Sequence, residues 1–267
     1  MDLIELPAAL LLGAVEGLTE FLPVSSTGHL ILLGEAVGFR GPSGKAFEIS
    51  IQVGAILAVV WLYRAMLADI AVRMWRPGPE RRYAANLLLA FLPAAAIGGT
   101  LHGPITRLLF GPWVVAVALI LGGAAIIAIE RARPEPWIHT VAAMGPGAAL
   151  LVGFGQVLAM APGTSRSAAT IIIALLVGME RRTAAEFSFL LAIPTMLAAT
   201  AYSLWKASTE LDASGIGLIG AGFTAAFVVA LLVVRWVLAV VGQIGFTPFG
   251  WYRIALGVVV LALLVLR

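Results

Sequence analysis

The chain has 267 residues, of which 61% are hydrophobic and only 12% charged, and its mean hydropathy is +1.03. A soluble domain carries about twice that charged fraction, so the composition excludes an ordinary soluble enzyme. The absence of cysteine excludes disulfides and thiolate metal sites. The net charge of +3 comes from arginines in short loops, so it indicates membrane orientation and not nucleic-acid binding.

Apolar stretches near the length needed to cross a bilayer recur along the whole chain. They are too long and too continuous for the alternating strands of a membrane β-barrel. Six of them are predicted to be full spans, at about residues 47–63, 83–102, 112–129, 184–206, 215–235 and 249–266.

Two further apolar regions, about 3–39 and 141–178, are each interrupted by proline and a run of hydroxyl residues. The interruptions are LPVSSTGH at 22–29 and APGTSRSAAT at 161–170. Non-helical backbone at membrane depth is tolerated only where it lines a cavity or is buried in protein. Both regions are therefore predicted to be re-entrant helical hairpins.

The two interruptions resemble each other at a shift of 139 residues, with PVSS at 23–26 matching PGTS at 162–165. The same shift carries the first three spans roughly onto the last three. Residues 1–267 are thus predicted to form a single membrane domain of two repeats, about 1–130 and about 140–267. Because each repeat crosses the membrane an odd number of times, the second repeat is inverted. The predicted fold is an all-α integral membrane protein, a polytopic helical bundle with an inverted-topology repeat.

The loop charges agree with this alternating topology, because cytoplasmic loops carry an excess of Lys and Arg. The predicted loop at 64–82 is rich in arginine, whereas the opposite loops near 40–46, 103–111 and 207–214 carry few basic residues. The basic residues of the predicted cytoplasmic side are Arg64, Arg73, Arg76, Arg81, Arg82, Arg131, Arg133, Arg181, Arg182 and Arg235.

Two acids precede the first interruption. Glu16 and Glu20 are four residues apart, so on a helix they share one face. Two carboxylates there can bind a hard divalent cation, or one can act as general base. The alternative is a solvated face of a short amphipathic helix, which the apolar flanking residues disfavour.

The interruption itself supplies Ser25, Ser26 and Thr27, which can cap a helix that continues through His29. The N-terminus of such a helix attracts anions, and a Ser–His pair beside it suits phosphoryl transfer. A capping serine beside a packed histidine is the simpler explanation of this pair. The neighbouring acids are what favour chemistry.

The second interruption supplies Arg166, the only cation between about residues 134 and 180. A forked guanidinium among hydroxyls is well suited to binding a phosphate in a bidentate manner. An internal ion pair with one of the acids is the alternative. The hydroxyl candidates for the same diphosphate site are Thr164, Ser165, Ser167 and Thr170. Glu48 and Gln52, on one face of the first full span, are candidates for the cavity wall.

At these residues the chain closely resembles the bacterial undecaprenyl-diphosphate phosphatase family, also known as the bacitracin-resistance family. EGLTEFLPVSSTGHLIL carries the family's paired-glutamate and Ser/His elements, and APGTSRSAAT matches its second box. FEISIQVGAILAVV, EFSFLLAIPTM and FTPFGWYR are also similar to the family. The resemblance extends over essentially the full length.

The resemblance implies roles for these residues. Glu16 and Glu20 would act in metal binding and acid–base chemistry, with Mg²⁺ or Ca²⁺ as the divalent cation. Ser26 and His29 would act in nucleophilic attack or proton transfer. Arg166, with Ser165 and Thr170, would bind the diphosphate.

The implied reaction is hydrolysis of the terminal phosphate of undecaprenyl diphosphate, which recycles the lipid carrier for peptidoglycan synthesis. The nucleophile is left open between Ser26, His29 and a water activated by Glu20. The implied location is the bacterial inner membrane, with the site facing the periplasm, and the expected partners are the polyprenyl substrate and membrane lipids. Whether the chain forms a homodimer stays open. The rival function is a transporter or lipid flippase, because inverted repeats with broken helices are typical of secondary transporters.

Overall fold

The computed structural model describes residues 5–39, 46–109, 111–206 and 215–266, and it describes only the backbone of 101–109 and 204–206. In these ranges the chain is almost entirely helical. The helices are α1 (Glu5–Thr19), α2 (Ser26–Ala36), α3 (Ala46–Leu62), α4 (Arg64–Arg73), α5 (Pro79–Leu109), α6 (Pro112–Ala132), α7 (Pro146–Leu158), α8 (Arg166–Leu176), α9 (Arg181–Lys206), α10 (Ile216–Ile244) and α11 (Thr247–Leu266). A short 3-10 turn, Val141–Ala143, precedes α7.

Five of the described helices are long and apolar enough to cross a membrane. Helices α3 and α4, which only Tyr63 separates, meet the same criterion when taken together and raise the number to six. The five candidate spans are Pro79–Thr100, Pro112–Ala132, Arg181–Ser203, Ile216–Ile244 and Thr247–Leu266. The prediction of a polytopic helical membrane protein is confirmed, whereas the span count of six and the inverted repeat stay predictions.

Three predicted boundaries are wrong. The predicted loop at 64–82 contains α4, because Arg, Ala, Met and Leu are good helix formers and Arg73 pairs with Asp69 one turn earlier at 2.9 Å. Helix α5 continues to Leu109 and occupies most of the predicted loop at 103–111. Helix α10 continues to Ile244, because the residues after Arg235 are also apolar and a single charge does not end a helix. The predicted loop at 207–214 and nearly all of that at 40–46 lie outside the described residues.

Both predicted interruptions are confirmed as breaks between short helices. Residues 20–25 separate the 15-residue α1 from the 11-residue α2, and residues 159–165 separate the 13-residue α7 from the 11-residue α8. A helix needs about 20 residues to cross the hydrocarbon core, so none of these four can cross alone. Their re-entrant course in the membrane stays a prediction.

The described chain divides into two compact units, and each draws on both halves of the sequence. Unit one comprises 1–21, 26–63 and 192–236. Within it α1 packs directly on α10, because a Cβ on Gly13 would lie 2.2 Å from the carbonyl oxygen of Gly222. Such close contact between backbones is typical of membrane helices, which associate through small residues. Its apolar core includes Ala9, Leu12, Phe47, Ile51, Leu218 and Ala226.

Unit two comprises 22–25, 64–191 and 237–267. Within it α6 and α11 pack along much of their length, and a Cβ on Gly123 would lie 2.6 Å from the carbonyl oxygen of Gly250. Helix α7 packs on α5 in the same manner, at Gly153 and Ala90. The break 22–25 belongs to this unit although the helices on either side of it belong to unit one.

The contact between α6 and α11 gives a stability prediction. Gly123→Ala forces a methyl group against the Gly250 backbone, which cannot move without displacing α11, and we expect a loss of about 1–3 kcal/mol of stability. Gly99→Ala in α5 is the matched control, because a Cβ there meets nothing within 4 Å. Thermal unfolding of the purified proteins in one detergent checks this. Equal midpoints for the two variants would contradict the described packing.

Candidate functional site

Glu16 and Glu20 are both buried, at 2% and 7% exposure. Glu16 lies in α1, and the N–H of Glu20 donates to the Glu16 carbonyl oxygen at 2.9 Å. This bond continues the helical pattern one residue beyond Thr19, so the two carboxylates lie on one side, one turn apart. The shared face that the spacing predicts is therefore confirmed, and a solvated face is excluded by the burial of both acids.

Ser26 bonds directly to one of these acids. Its hydroxyl donates to Glu20 Oε2 at 2.6 Å, which is the length of a charge-assisted O–H···O hydrogen bond. Ser26 is also the first residue of α2, as the capping pattern suggests. A hydroxyl in hydrogen-bond reach of a carboxylate is the arrangement of a nucleophile beside its base.

The other candidates of the first half are placed less centrally. His29 lies on the first turn of α2 and is half-buried, whereas Thr27 is exposed. On α3, Glu48 is exposed and Gln52 is half-buried. The described residues contain no group of three or more His, Cys, Asp or Glu side chains able to hold a metal. Mg²⁺ is commonly held by one or two carboxylates with waters and substrate phosphates, so the Glu16–Glu20 pair fits a divalent cation.

Arg166 is the first residue of α8, and its side chain is oriented by α9. Arg166 Nη1 donates to the Ser188 carbonyl oxygen at 2.7 Å and lies 3.5 Å from the Ser188 hydroxyl. The Ser188 hydroxyl also bonds to the Thr170 hydroxyl at 2.7 Å, and Thr170 reaches back to the Arg166 carbonyl oxygen at 3.0 Å. Arg166 and Thr170, both predicted, are therefore joined through a residue that the sequence analysis missed.

Ser188 was missed because its signal is weak. It lies in the stretch EFSFLLAIPTM, between two fully buried phenylalanines, and a single serine in an apolar helix has many structural explanations. Its complete burial becomes informative only when the structure shows what it contacts.

Two serines hold the same unusual backbone conformation, one at the end of each break. Ser25 has φ 73° and Ser165 has φ 70°, and no other non-glycine residue of the described chain has a positive φ. Each residue immediately precedes a helix, and the Ser165 hydroxyl accepts a hydrogen bond from the Ala168 N–H at 3.2 Å. The equivalence is therefore a shift of 140, so the predicted alignment at 139 is wrong by one residue at the helix starts. The reason is that the second break is one residue longer.

The two breaks lie against each other in unit two. The Ser167 hydroxyl donates to the Leu22 carbonyl oxygen at 2.8 Å. Arg253 Nη1 donates to the carbonyl oxygens of Pro23, at 3.3 Å, and of Thr164, at 2.9 Å. The same guanidinium thus contacts both breaks.

Arg253 was also missed by the sequence analysis, although a signal existed. It lies inside the stretch 249–266 that was predicted as a full span, and a charged residue within a span is itself a marker of function. In the sequence, Arg253 stood out only as part of FTPFGWYR, a stretch similar to the family.

Fold and site together define a multi-pass membrane protein whose interrupted helices carry a carboxylate–hydroxyl pair and an arginine–hydroxyl cluster. The sequence model of the bacitracin resistance protein BacA family matches residues 9–259. The chain belongs to this family.

Similar proteins cover nearly the whole chain. "Undecaprenyl-diphosphatase 2" of Paramagnetospirillum magneticum is 53% identical over 259 residues, which is 97% of this chain and 99% of that protein. The undecaprenyl-diphosphatase of Rhizorhabdus wittichii is 52% identical over 96% of this chain and 97% of its own. That of Sphingopyxis alaskensis is 51% identical over 95% of this chain and 96% of its own.

The start of α8 gives a second prediction. Ser165→Ala removes the oxygen that caps Ala168 and keeps a Cβ at positive φ, so we expect a loss of about 1 kcal/mol of stability. Ser165→Gly also lacks the hydroxyl but adopts positive φ without strain, so it should be the more stable of the two. Thermal unfolding of both variants beside the unchanged protein measures the difference. An alanine variant at least as stable as the glycine variant would contradict the strained backbone.

Proposed function

We propose that this protein is an undecaprenyl-diphosphatase that cleaves the anhydride bond of undecaprenyl diphosphate. Water is consumed, and undecaprenyl phosphate and inorganic phosphate are released. Returning the monophosphate carrier to peptidoglycan synthesis accounts for bacitracin resistance in the family. The observation that carries the activity is identity of about 50% to undecaprenyl-diphosphatases over nearly the full chain. The Glu20–Ser26 hydrogen bond supplies a chemical basis for it.

Among the three nucleophiles that the sequence leaves open, the geometry favours Ser26. Its proton already lies on a hydrogen bond to Glu20 Oε2, so the carboxylate can accept it as the oxygen attacks the terminal phosphorus. The bond from that phosphorus to the bridging oxygen breaks, and undecaprenyl phosphate leaves. Glu20 passes the serine proton to the departing phosphate and is a carboxylate again. Water then attacks the phosphoserine, Glu20 takes a proton from the water, and it returns that proton to the Ser26 oxygen as phosphate is released.

Arg166 binds the phosphate groups in this proposal. The Ser188 carbonyl oxygen fixes Nη1 and with it the plane of the guanidinium fork. Its position at the first residue of α8 adds the positive end of a helix dipole, which favours an anion at the same place. In phosphoryl transfer most of the catalysis comes from positioning and from stabilising charge on the transferred oxygens.

Glu16 and Glu20 are the residues that would hold the Mg²⁺ or Ca²⁺ ion, which when bound neutralises phosphate charge. Their burial on one side of α1 keeps both oxygen donors out of bulk solvent. The protein would work in the bacterial inner membrane with this chemistry facing the periplasm, as the excess of arginine on the opposite loops supports.

The deciding experiment is phosphate release from undecaprenyl diphosphate by the purified protein in detergent, with and without a chelator. A hydrolase releases phosphate without a membrane gradient, whereas a transporter or flippase does not. We expect turnover that the chelator suppresses and that added Mg²⁺ or Ca²⁺ restores. Absence of turnover under all these conditions would overturn the proposal and favour the transport function.

Glu20→Gln tests the acid–base step. The amide keeps the size of the side chain but cannot accept the Ser26 proton, so kcat should fall about 10²–10⁴-fold, which is the range that general base catalysis contributes. The measurement is the steady-state rate beside thermal unfolding, which should change little. Glu135→Gln, at an exposed glutamate after α6, is the control with near-normal activity. Full activity of Glu20→Gln would remove this carboxylate from the mechanism.

Arg166→Lys tests the bidentate contact. Lysine keeps the charge but lacks the planar fork, so we expect a loss of at least 100-fold in kcat/KM. Ser188→Ala keeps the carbonyl oxygen that accepts from Nη1 and removes only the hydroxyl, so its loss should be smaller, about 2- to 13-fold, corresponding to one hydrogen bond of about 0.5–1.5 kcal/mol. Near-normal kcat/KM in Arg166→Lys would contradict the proposed role of the fork.

A further inference from the structure

Arg253 carries a permanent positive charge, and its side chain is fully buried although it belongs to an apolar helix. It lies in α11, a candidate span of 20 residues, and its exposure is 0%. A charged side chain at membrane depth is costly and is retained where it serves a site. Neither the carboxylate chemistry at Glu20 nor the phosphate contact at Arg166 uses it.

Five carbonyl oxygens surround this guanidinium. Two belong to α6: Leu119 accepts from Nε at 3.4 Å and Ala118 from Nη2 at 3.0 Å. Three belong to the breaks: Pro23 and Thr164 accept from Nη1, at 3.3 and 2.9 Å, and Gly163 accepts from Nη2 at 3.0 Å. Arg253 therefore fastens both breaks to the same pair of packed helices.

The space for the guanidinium is formed by a glycine of α6. A Cβ on Gly122 would lie 2.2 Å from Arg253 Nη2 and 2.9 Å from Cζ. No side chain larger than hydrogen fits at position 122 while Arg253 keeps these bonds. The cavity is therefore shaped for one side chain in one orientation.

The charge of Arg253 is not neutralised nearby. Its five hydrogen bonds end on neutral carbonyl oxygens, and in the described ranges no carboxylate lies within salt-bridge distance of it. Removing a charge from water is expensive, and peptide carbonyls offset only part of that cost. A net positive charge thus remains next to the backbone of both breaks.

The bonds also fix peptide orientation at the start of α8. In a trans peptide the carbonyl and the following N–H point in opposite directions. With the Thr164 carbonyl directed at Arg253, the Ser165 N–H is directed away from it, on the side opposite the guanidinium. This peptide joins Thr164 to Ser165, the N-cap of α8, and so lies one residue before Arg166.

We infer that Arg253 is a positioning residue for the phosphate-binding site. Its hydrogen bonds hold both breaks in their binding geometry, and its guanidinium adds positive charge next to them without touching the substrate. The inference rests on the proposed diphosphatase function for its catalytic readout. It predicts that loss of the fork weakens anion binding even where the protein remains folded.

The test compares Arg253→Lys with Gly122→Ala and the control Gly99→Ala, all purified in the same detergent. Lysine keeps a positive charge but cannot donate hydrogen bonds to all five carbonyl oxygens, which belong to α6 and to the two breaks. Gly122→Ala keeps Arg253 but displaces its guanidinium. Because alanine has a higher helix propensity than glycine, the substitution also favours α6. This variant therefore tests the role of the guanidinium if Arg253→Lys does not fold. Gly99→Ala, with open space around its Cβ, should behave as the unchanged protein.

Two measurements are made well below the unfolding midpoint of each variant. The first is calorimetric binding of inorganic pyrophosphate, which needs no turnover and so remains informative if the protein proves not to be a diphosphatase. The second is kcat and KM for undecaprenyl diphosphate. We expect a pyrophosphate Kd raised at least fivefold and kcat/KM lowered at least tenfold in both Arg253→Lys and Gly122→Ala.

A double-mutant cycle separates positioning from general stability. If Arg253 acts through the start of α8, then Arg253→Lys combined with Ser165→Ala should lose less kcat/KM than the product of the single losses, because both changes disturb one element. Unchanged pyrophosphate Kd in a folded Arg253→Lys or Gly122→Ala protein would overturn the inference. So would strictly multiplicative losses in the cycle.

Discussion

The structure depends on how the backbone of an interrupted helix is satisfied where water is scarce. A break leaves carbonyl oxygens without the N–H partners that a continuous helix would supply. Each carbonyl oxygen without a hydrogen bond in an apolar environment costs on the order of several kcal/mol. In unit two a single guanidinium supplies donors to three such oxygens from both breaks. Arg253 is thus one of the groups that allow both breaks, and the polar residues that they carry, to exist in so apolar a chain.

Short hydroxyl side chains form further hydrogen bonds at the first break and next to Arg166. Ser167 bonds to the backbone of the first break, and Thr170 and Ser188 bond to each other behind Arg166. All three are buried, and each finds its partner within the protein. Networks of this kind are stabilising only when every member is satisfied, and when satisfied they hold a site rigidly. The chain thus builds a polar site with few full charges, which suits its charged fraction of 12%.

Much of this architecture could be predicted because the signals are local. Proline followed by hydroxyl residues predicted both breaks, and the spacing of Glu16 and Glu20 predicted a shared helix face. Arg166 was conspicuous as the one cation in a long apolar region. The sequence analysis paired Ser26 with His29, whereas the structure shows that Ser26 bonds to Glu20, six residues earlier.

The rest could not be predicted because it depends on contacts between distant residues. Arg253 bonds to residues 230 and 89 positions away, and its role is invisible until α11 packs on α6. Ser188 acquires its meaning only from its distance to Arg166 and Thr170. Helix ends were misjudged where charge was taken to mark a loop, as in α4, although arginine is compatible with a helix. Sharing one guanidinium has a mechanical consequence: neither break can shift alone without removing carbonyl acceptors from a buried cation, at about 1.5–3 kcal/mol for each bond to a charged group. The two breaks are therefore coupled, because a displacement of one is transmitted to the other through the same guanidinium.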